Sequence, residues 1–243
     1  MKILNRILCV SLSCVLALSV LSGCGKKTAS QTGENIVQKT ENTQTESGEE
    51  RNYEVQLDER TEETQYQYAE DDLALVDTVS GKKISLGMTE QEVEAIAGEP
   101  MQKDLDYRVY DGVVVRYIDG AAASMIVASG QFEGEKATRF VTTRGIKIGT
   151  TVDDFKKAYG DSYAQGEERT DEKTGETYKV AGRAVRYFKK DGNKIKYIGT
   201  ELPNDKKDAD TSNYYFQDFM FSNKDGSVTT IRITLMDAAM GGK

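Results

Sequence analysis

The sequence predicts an α+β fold of two tandem units, each a short helical segment packed on an antiparallel β-meander. Three observations carry that expectation. Residues 84–98 and 146–160 align without a gap. Each aligned segment runs on into stretches of alternating apolar and polar residues. Asp-Gly pairs at 111–112, 119–120, 191–192 and 225–226 fall between those stretches, where hairpin turns belong.

The aligned segments share an Ile-x-(Leu/Ile)-Gly opening, a Thr, acidic residues, a large apolar residue and a closing Gly. Gly87 and Gly149 allow a tight exit from extended chain. Thr89 and Thr151 are suited to cap a helix, with Glu92 and Asp154 three residues on. Val93, Ile96 and Ala97 form one helical face, and Phe155, Ala158 and Tyr159 form its counterpart. Gly98 and Gly160 end the helices, and Pro100 stops the first firmly.

Strands are expected at Leu105–Tyr110, Val113–Ile118, Ala122–Ser129, Ala137–Thr143, Arg183–Lys189, Lys194–Gly199, Tyr214–Phe221 and Val228–Met236. The last alternates most clearly, with Ile231, Ile233 and Leu235 against Thr230, Arg232 and Thr234. Antiparallel sheets commonly bury one face and leave the other open. If Val115-Arg116-Tyr117 corresponds to Val185-Arg186-Tyr187, then Arg116, Arg186 and Arg232 share the open face as a candidate binding surface. Arg and aromatic residues are enriched where proteins bind proteins; an ordinary solvated sheet face is the plainer alternative.

The N-terminal 23 residues have the make-up of a secretory signal. Lys2 and Arg6 precede a mostly apolar run, Ile7 to Val20, and then comes Leu21-Ser22-Gly23-Cys24. The run is short of the roughly 20 apolar residues a spanning helix needs. Small residues before a Cys resemble the bacterial lipobox. That resemblance implies cleavage between Gly23 and Cys24, diacylglycerol and palmitate on the Cys24 sulfur, and a lipid-anchored protein on the extracytoplasmic face of the cell membrane. Cys9 and Cys14 would leave with the signal, so the mature chain keeps one cysteine and forms no internal disulfide.

Residues 24–72 are expected to be an acidic flexible tether, since residues 25–72 hold 13 acidic and 5 basic side chains and few apolar ones. Docking of residues 53–72 on the domain is the alternative. Residues 73–243 are nearly charge-balanced, with 27 acidic and 25 basic groups. They divide at 143/144 into a first and a second repeat. No basic stripe points to nucleic acid. The chain has no His, which excludes the usual Ser-His-Asp and Cys-His nucleophiles and His-containing zinc sites. No phosphate-binding glycine motif is present, and neither a cofactor nor a metal is expected.

Ile84-Ser-Leu-Gly-Met-Thr, Val93 and Ala97-Gly-Glu-Pro100 together resemble the opening of the SmpA/BamE lipoprotein family. In tandem they are similar to the β-lactamase-inhibitor protein family, whose two units each lay helices on a four-stranded antiparallel sheet. The resemblance implies protein recognition through loops or an open sheet face. It carries over no binding residue, and the inhibitor's disulfides have no counterpart here. The function expected is therefore a non-enzymatic, membrane-anchored protein-recognition module. A ligand- or glycan-binding lipoprotein is the alternative, and a carboxylate-dependent hydrolase a third.

Overall fold

The computed structural model describes residues 53–132, 134–192, 194–201 and 211–239. After a 3₁₀ turn, Glu70–Leu73, the chain forms β1 (Ala74–Asp77), β2 (Lys83–Ser85), α1 (Glu90–Ala97), β3 (Gln102–Asp104), β4 (Tyr107–Tyr110), β5 (Val113–Ile118), β6 (Ala121–Ala128) and β7 (Phe140–Thr142). There follow α2 (Val152–Tyr159), β8 (Glu168–Thr170), β9 (Thr177–Lys179), β10 (Arg183–Asp191), β11 (Lys194–Gly199), β12 (Tyr214–Phe221), β13 (Val228–Leu235) and α3 (Met236–Ala239).

The architecture corrects the expectation of two α+β units. The described fold is mostly antiparallel β-sheet, organised around one continuous eight-stranded sheet in the order β11-β10-β12-β13-β6-β5-β4-β3. The strands expected to form two meanders are joined where β13 pairs with β6, Ile231 opposite Val127 and Ile233 opposite Met125. The physical reason is edge satisfaction. Two separate sheets would each expose an unpaired strand, and pairing β6 with β13 removes both edges at once. A second sheet, β2-β1-β7, takes β7 from within the strand expected at Ala137–Thr143, β2 from the extended chain before Gly87, and β1 from residues with no expected element.

Helices α1 and α2 and the three-stranded sheet share one core with the same face of the large sheet. Val93 and Ala97 of α1, Phe155, Ala158 and Tyr159 of α2, and Leu75, Ile84 and Phe140 pack with Val113, Val115, Met125, Phe219, Ile231 and Ile233. Local chemistry sets the helix limits. Thr89 accepts from Glu92 N while the Glu92 carboxylate accepts from Thr89 N at 2.8 Å, a reciprocal cap. Thr151 accepts from Asp154 N at 3.2 Å. Gly98 (φ 87°) and Gly160 (φ 74°) end the helices at positive φ with extended ψ, a combination open essentially to glycine alone.

Residues 53–72 lie on the domain. Arg60 N donates to the Lys157 carbonyl at 2.8 Å and Asp58 N to the Arg144 carbonyl at 3.1 Å. Tyr66 stacks on Tyr197 at 5.6 Å, and Tyr68 meets Phe188 edge-on at 4.8 Å. Arg144, fully buried, donates to Asp72 Oδ1 at 2.6 Å and to the carbonyls of Gln65, Gln67 and Ala158. The strap passes so close to Gly145 that a β-carbon there would lie 2.4 Å from the Gln56 carbonyl oxygen. The expected tether therefore holds no further toward the domain than residue 52. Its part from 24 to 52, and Gly23 and Cys24 with it, lie outside the described residues. Among the described residues no helix is long and apolar enough to cross a membrane.

Candidate recognition surface

The outer face of the large sheet, away from the helices, carries a cross-strand row running Tyr107, Arg116, Ser124, Thr234, Phe216 and Tyr187. Beside it runs a second row of Val109, Val114, Ile126, Arg232, Asp218 and Val185. Two of the three arginines expected on an open face are therefore there, Arg116 and Arg232. Arg186 is not. It is fully buried on the helix-covered side, its guanidinium 4.6 Å from the Tyr159 ring centre and 4.8 Å from that of Phe155. Ala184 and Phe188 of β10 enter the core, and Arg186 shares their parity. The assumed match to Val115-Arg116-Tyr117 is out by one residue, and a slip of one reverses the face of every side chain.

The face is only partly open. Phe132 and Ala137 cover Val114 and Ile126. Met236, which opens α3, packs on Tyr214 and Phe216. Arg116 donates from Nε to Asp106 Oδ2 at 2.5 Å and from Nη1 to the Ala238 carbonyl. Arg232 stands opposite Asp218, but both Asp218 oxygens are taken by Arg183, at 2.7 and 2.9 Å. The Arg232 Nε is buried without a hydrogen-bond partner.

At the sheet's edge the β3–β4 hairpin turns through Leu105 and Asp106, a position sequence patterning had placed in a strand. Leu105 sits at φ 47° with 91% of its surface exposed. Left-handed backbone costs a side-chain-bearing residue about 1–2 kcal/mol, and exposing a leucine recovers none of it by burial. Met101 and Tyr107, also exposed, flank it.

The turn is clamped from both faces of the sheet. On the outer face, Arg116 holds Asp106 and lies 5.6 Å from the Tyr107 ring centre. On the inner face, Arg108 donates to the carbonyls of Leu105 at 2.9 Å and Tyr107 at 3.0 Å, and to Glu90 Oε1 at 2.8 Å. Lys103 also reaches Glu90, at 2.9 Å. These hydrogen bonds, that from Arg108 first, pull the Glu90 carboxyl from 4.5 down to about 2. The Arg116 bond likewise lowers Asp106. The arrangement is a rigidly presented apolar tip beside Tyr107 and Arg116; tyrosine and arginine are enriched at protein-binding hot spots, leucine is not. No sequence signal marked it, because Leu-Asp lacks the Gly or Asn that usually betrays a two-residue turn.

A cleft of about 370 Å³ opens elsewhere, lined by Glu70, Leu73, Ser85, Lys190, Tyr215 and Leu235 among others. Its carboxylates are already paired, Glu70 with Lys190 and Asp71 with Lys83, which does not suit them to acid–base work. Among the described residues no group of three or more acidic side chains is placed to hold a metal ion.

No family model matches this chain. No curated protein matches it either. Among solved structures it is similar to a cysteine-rich secretory protein from Staphylococcus aureus, with 13% identity over 63% of this chain and a TM-score of 0.33. The chain spans 44% of the length of that structure.

Proposed function

We propose that this chain is a non-enzymatic protein-recognition module, carried on the outer side of a membrane by a lipid on Cys24, and that the β3–β4 hairpin with the adjoining outer sheet face engages the partner. The observation that carries the reading is Leu105, an apolar side chain 91% exposed in left-handed backbone and braced by Arg108 and Arg116. Backbone strain of this kind persists where the surroundings enforce it, and such positions cluster at functional sites. A rigid tip loses little conformational freedom on binding, so more of its contact energy appears as affinity. The Leu-Ser-Gly-Cys motif at 21–24 supports the anchor.

The test is site-specific photo-crosslinking from position 105 in the native host, with position 172, on an exposed loop, as the control. A single protein crosslinked from 105 and not from 172, and lost on Arg116→Ala, supports the reading. Equal labelling from both positions, or none from 105, refutes the hairpin as the contact.

A further inference from the structure

Two described arginines are fully buried, Arg144 and Arg186. Arg144 has Asp72 as its counter-ion. Among the described residues Arg186 has no carboxylate partner. Its Nη2 donates to the Tyr159 carbonyl at 3.3 Å and to the Ser162 hydroxyl, while Nε and Nη1 have no hydrogen-bond partner.

The side chains around it are unsatisfied in the same way. No hydrogen bond of normal geometry reaches the Tyr68 hydroxyl, the Tyr159 hydroxyl or Gln217 Oε1, all buried; the Tyr68 hydroxyl lies against Arg186 and the Tyr159 hydroxyl toward Thr142. Gln217 faces Arg186 directly in the β10–β12 register. The Tyr159 ring lies 4.7 Å from the Arg144 guanidinium and 4.6 Å from that of Arg186, so it sits against both cations. The Tyr68 ring lies 4.2 Å from Arg144, and its hydroxyl is close enough to Arg186 to feel the guanidinium charge.

Two buried positive charges thus share one negative charge. The phenols do not supply the second, because burial pushes Tyr159 up to about 12 and raises Tyr68 as well. Leaving a buried charge uncompensated is among the most destabilising arrangements in a protein.

We propose that Arg186 Nε and Nη1, with the Tyr68 hydroxyl beside them, hold a small monovalent anion, chloride being the one tested. A water molecule would satisfy the same donors, and Gln217 Oε1 would suit a water better than an anion. The uncompensated guanidinium charge decides for the anion, since water carries no charge to set against it. Full burial of Arg186 leaves the site to a compact ion rather than to an organic acid. The site is separate from the hairpin and does not depend on how the hairpin is used.

The experiment is thermal unfolding of the full chain in chloride, bromide and gluconate, a monovalent anion too large for the site, at matched ionic strength, together with a crystal soaked in bromide. A ligand that binds only the folded state raises Tm with its concentration. Chloride and bromide are expected to raise Tm above gluconate, with an anomalous bromide peak beside Arg186. Tyr68→Phe keeps the ring and removes one donor. It should weaken the halide affinity about tenfold, as loss of one hydrogen bond to a charge does, with an unchanged circular dichroism spectrum. Equal Tm in chloride and gluconate, or a water with no bromide signal beside Arg186, overturns the proposal.

Discussion

Arg116 holds Asp106 at 2.5 Å across the outer sheet face, and the same guanidinium reaches the carbonyl of Ala238. One side chain thereby ties the hairpin tip to the C-terminal helix. Arg116→Ala should cost about 1–3 kcal/mol, the range for hydrogen bonds to charged groups, read as a lower urea midpoint. Arg116→Lys should restore less than half of this, since an ammonium cannot make both bonds in the fork geometry.

Leu105 offers the opposite case, a change that separates stability from recognition. Leu105→Gly relieves the left-handed strain and loosens the unfolded chain, two effects of about 1 kcal/mol that oppose each other. Folding stability by chemical denaturation should stay within about 1 kcal/mol of the parent. Affinity for the partner, once crosslinking has supplied it, should fall by an order of magnitude or more, as at a hot spot. A stable variant that binds normally would show that the tip is idle.

Arg144 is the pin that fastens residues 53–72 to the domain. Arg144→Met leaves Asp72 buried and unpaired and removes the donors to Gln65, Gln67 and Ala158. The expected loss is about 3–5 kcal/mol. Gly145→Ala should act more locally, because its β-carbon collides with the strap at Gln56. Limited proteolysis would then cut near residues 56–65 at protease levels the parent survives, with the sheet core still protected from hydrogen exchange.

Glu90 sets an acid limb. Its carboxyl is held down to about 2 in the folded chain against 4.5 unperturbed, chiefly by Arg108. A depressed folded value means the contribution is complete above 4.5 and is lost as pH falls from there toward 2. Asp77, lowered by Arg139 and Ser80 against the opposing effect of burial, adds to the same limb. Tm measured from pH 7 to pH 2 should therefore fall less steeply in Glu90→Gln than in the parent.

Cys24→Ala separates anchoring from folding. The variant should lose incorporation of labelled palmitate and partition from the membrane fraction into the soluble fraction, with Tm unchanged. Retention in the membrane fraction would remove the lipid from the proposed function.

How much of this was legible depended on distance along the chain. Thr89 with Glu92 and Thr151 with Asp154 are contacts three residues apart, and both helix starts followed from them. Val113–Ile118 and its Asp119-Gly120 turn were equally local. The face of Arg186 was not, because its parity is fixed by Gln217 across the sheet and by Tyr159 above it. Nor was the pairing of Ile231 with Val127, which made one sheet from the strands assigned to two units. Residues 53–72 were expected in a flexible tether, with docking on the domain as the alternative, because their own apolar content is low. They dock through Tyr66, Tyr68 and Asp72 and through main-chain carbonyls read by Arg144, the last an interaction that leaves no mark on composition.

The β6–β13 seam also bears on how the chain comes into being. Val228–Leu235 is the last strand of the large sheet, and Ala121–Ala128 waits for it. During synthesis, every residue up to 127 emerges long before Ile231 does. Until then the strand carrying Met125 and Val127 has one side unpaired, and such an edge invites pairing with other chains. The centre of the sheet is thus completed by the strand that comes last among those described, so the sheet stays short of its native pairing until residue 235 has been made. A C-terminal truncation that removes β13 should accordingly leave an aggregation-prone product rather than a smaller folded domain.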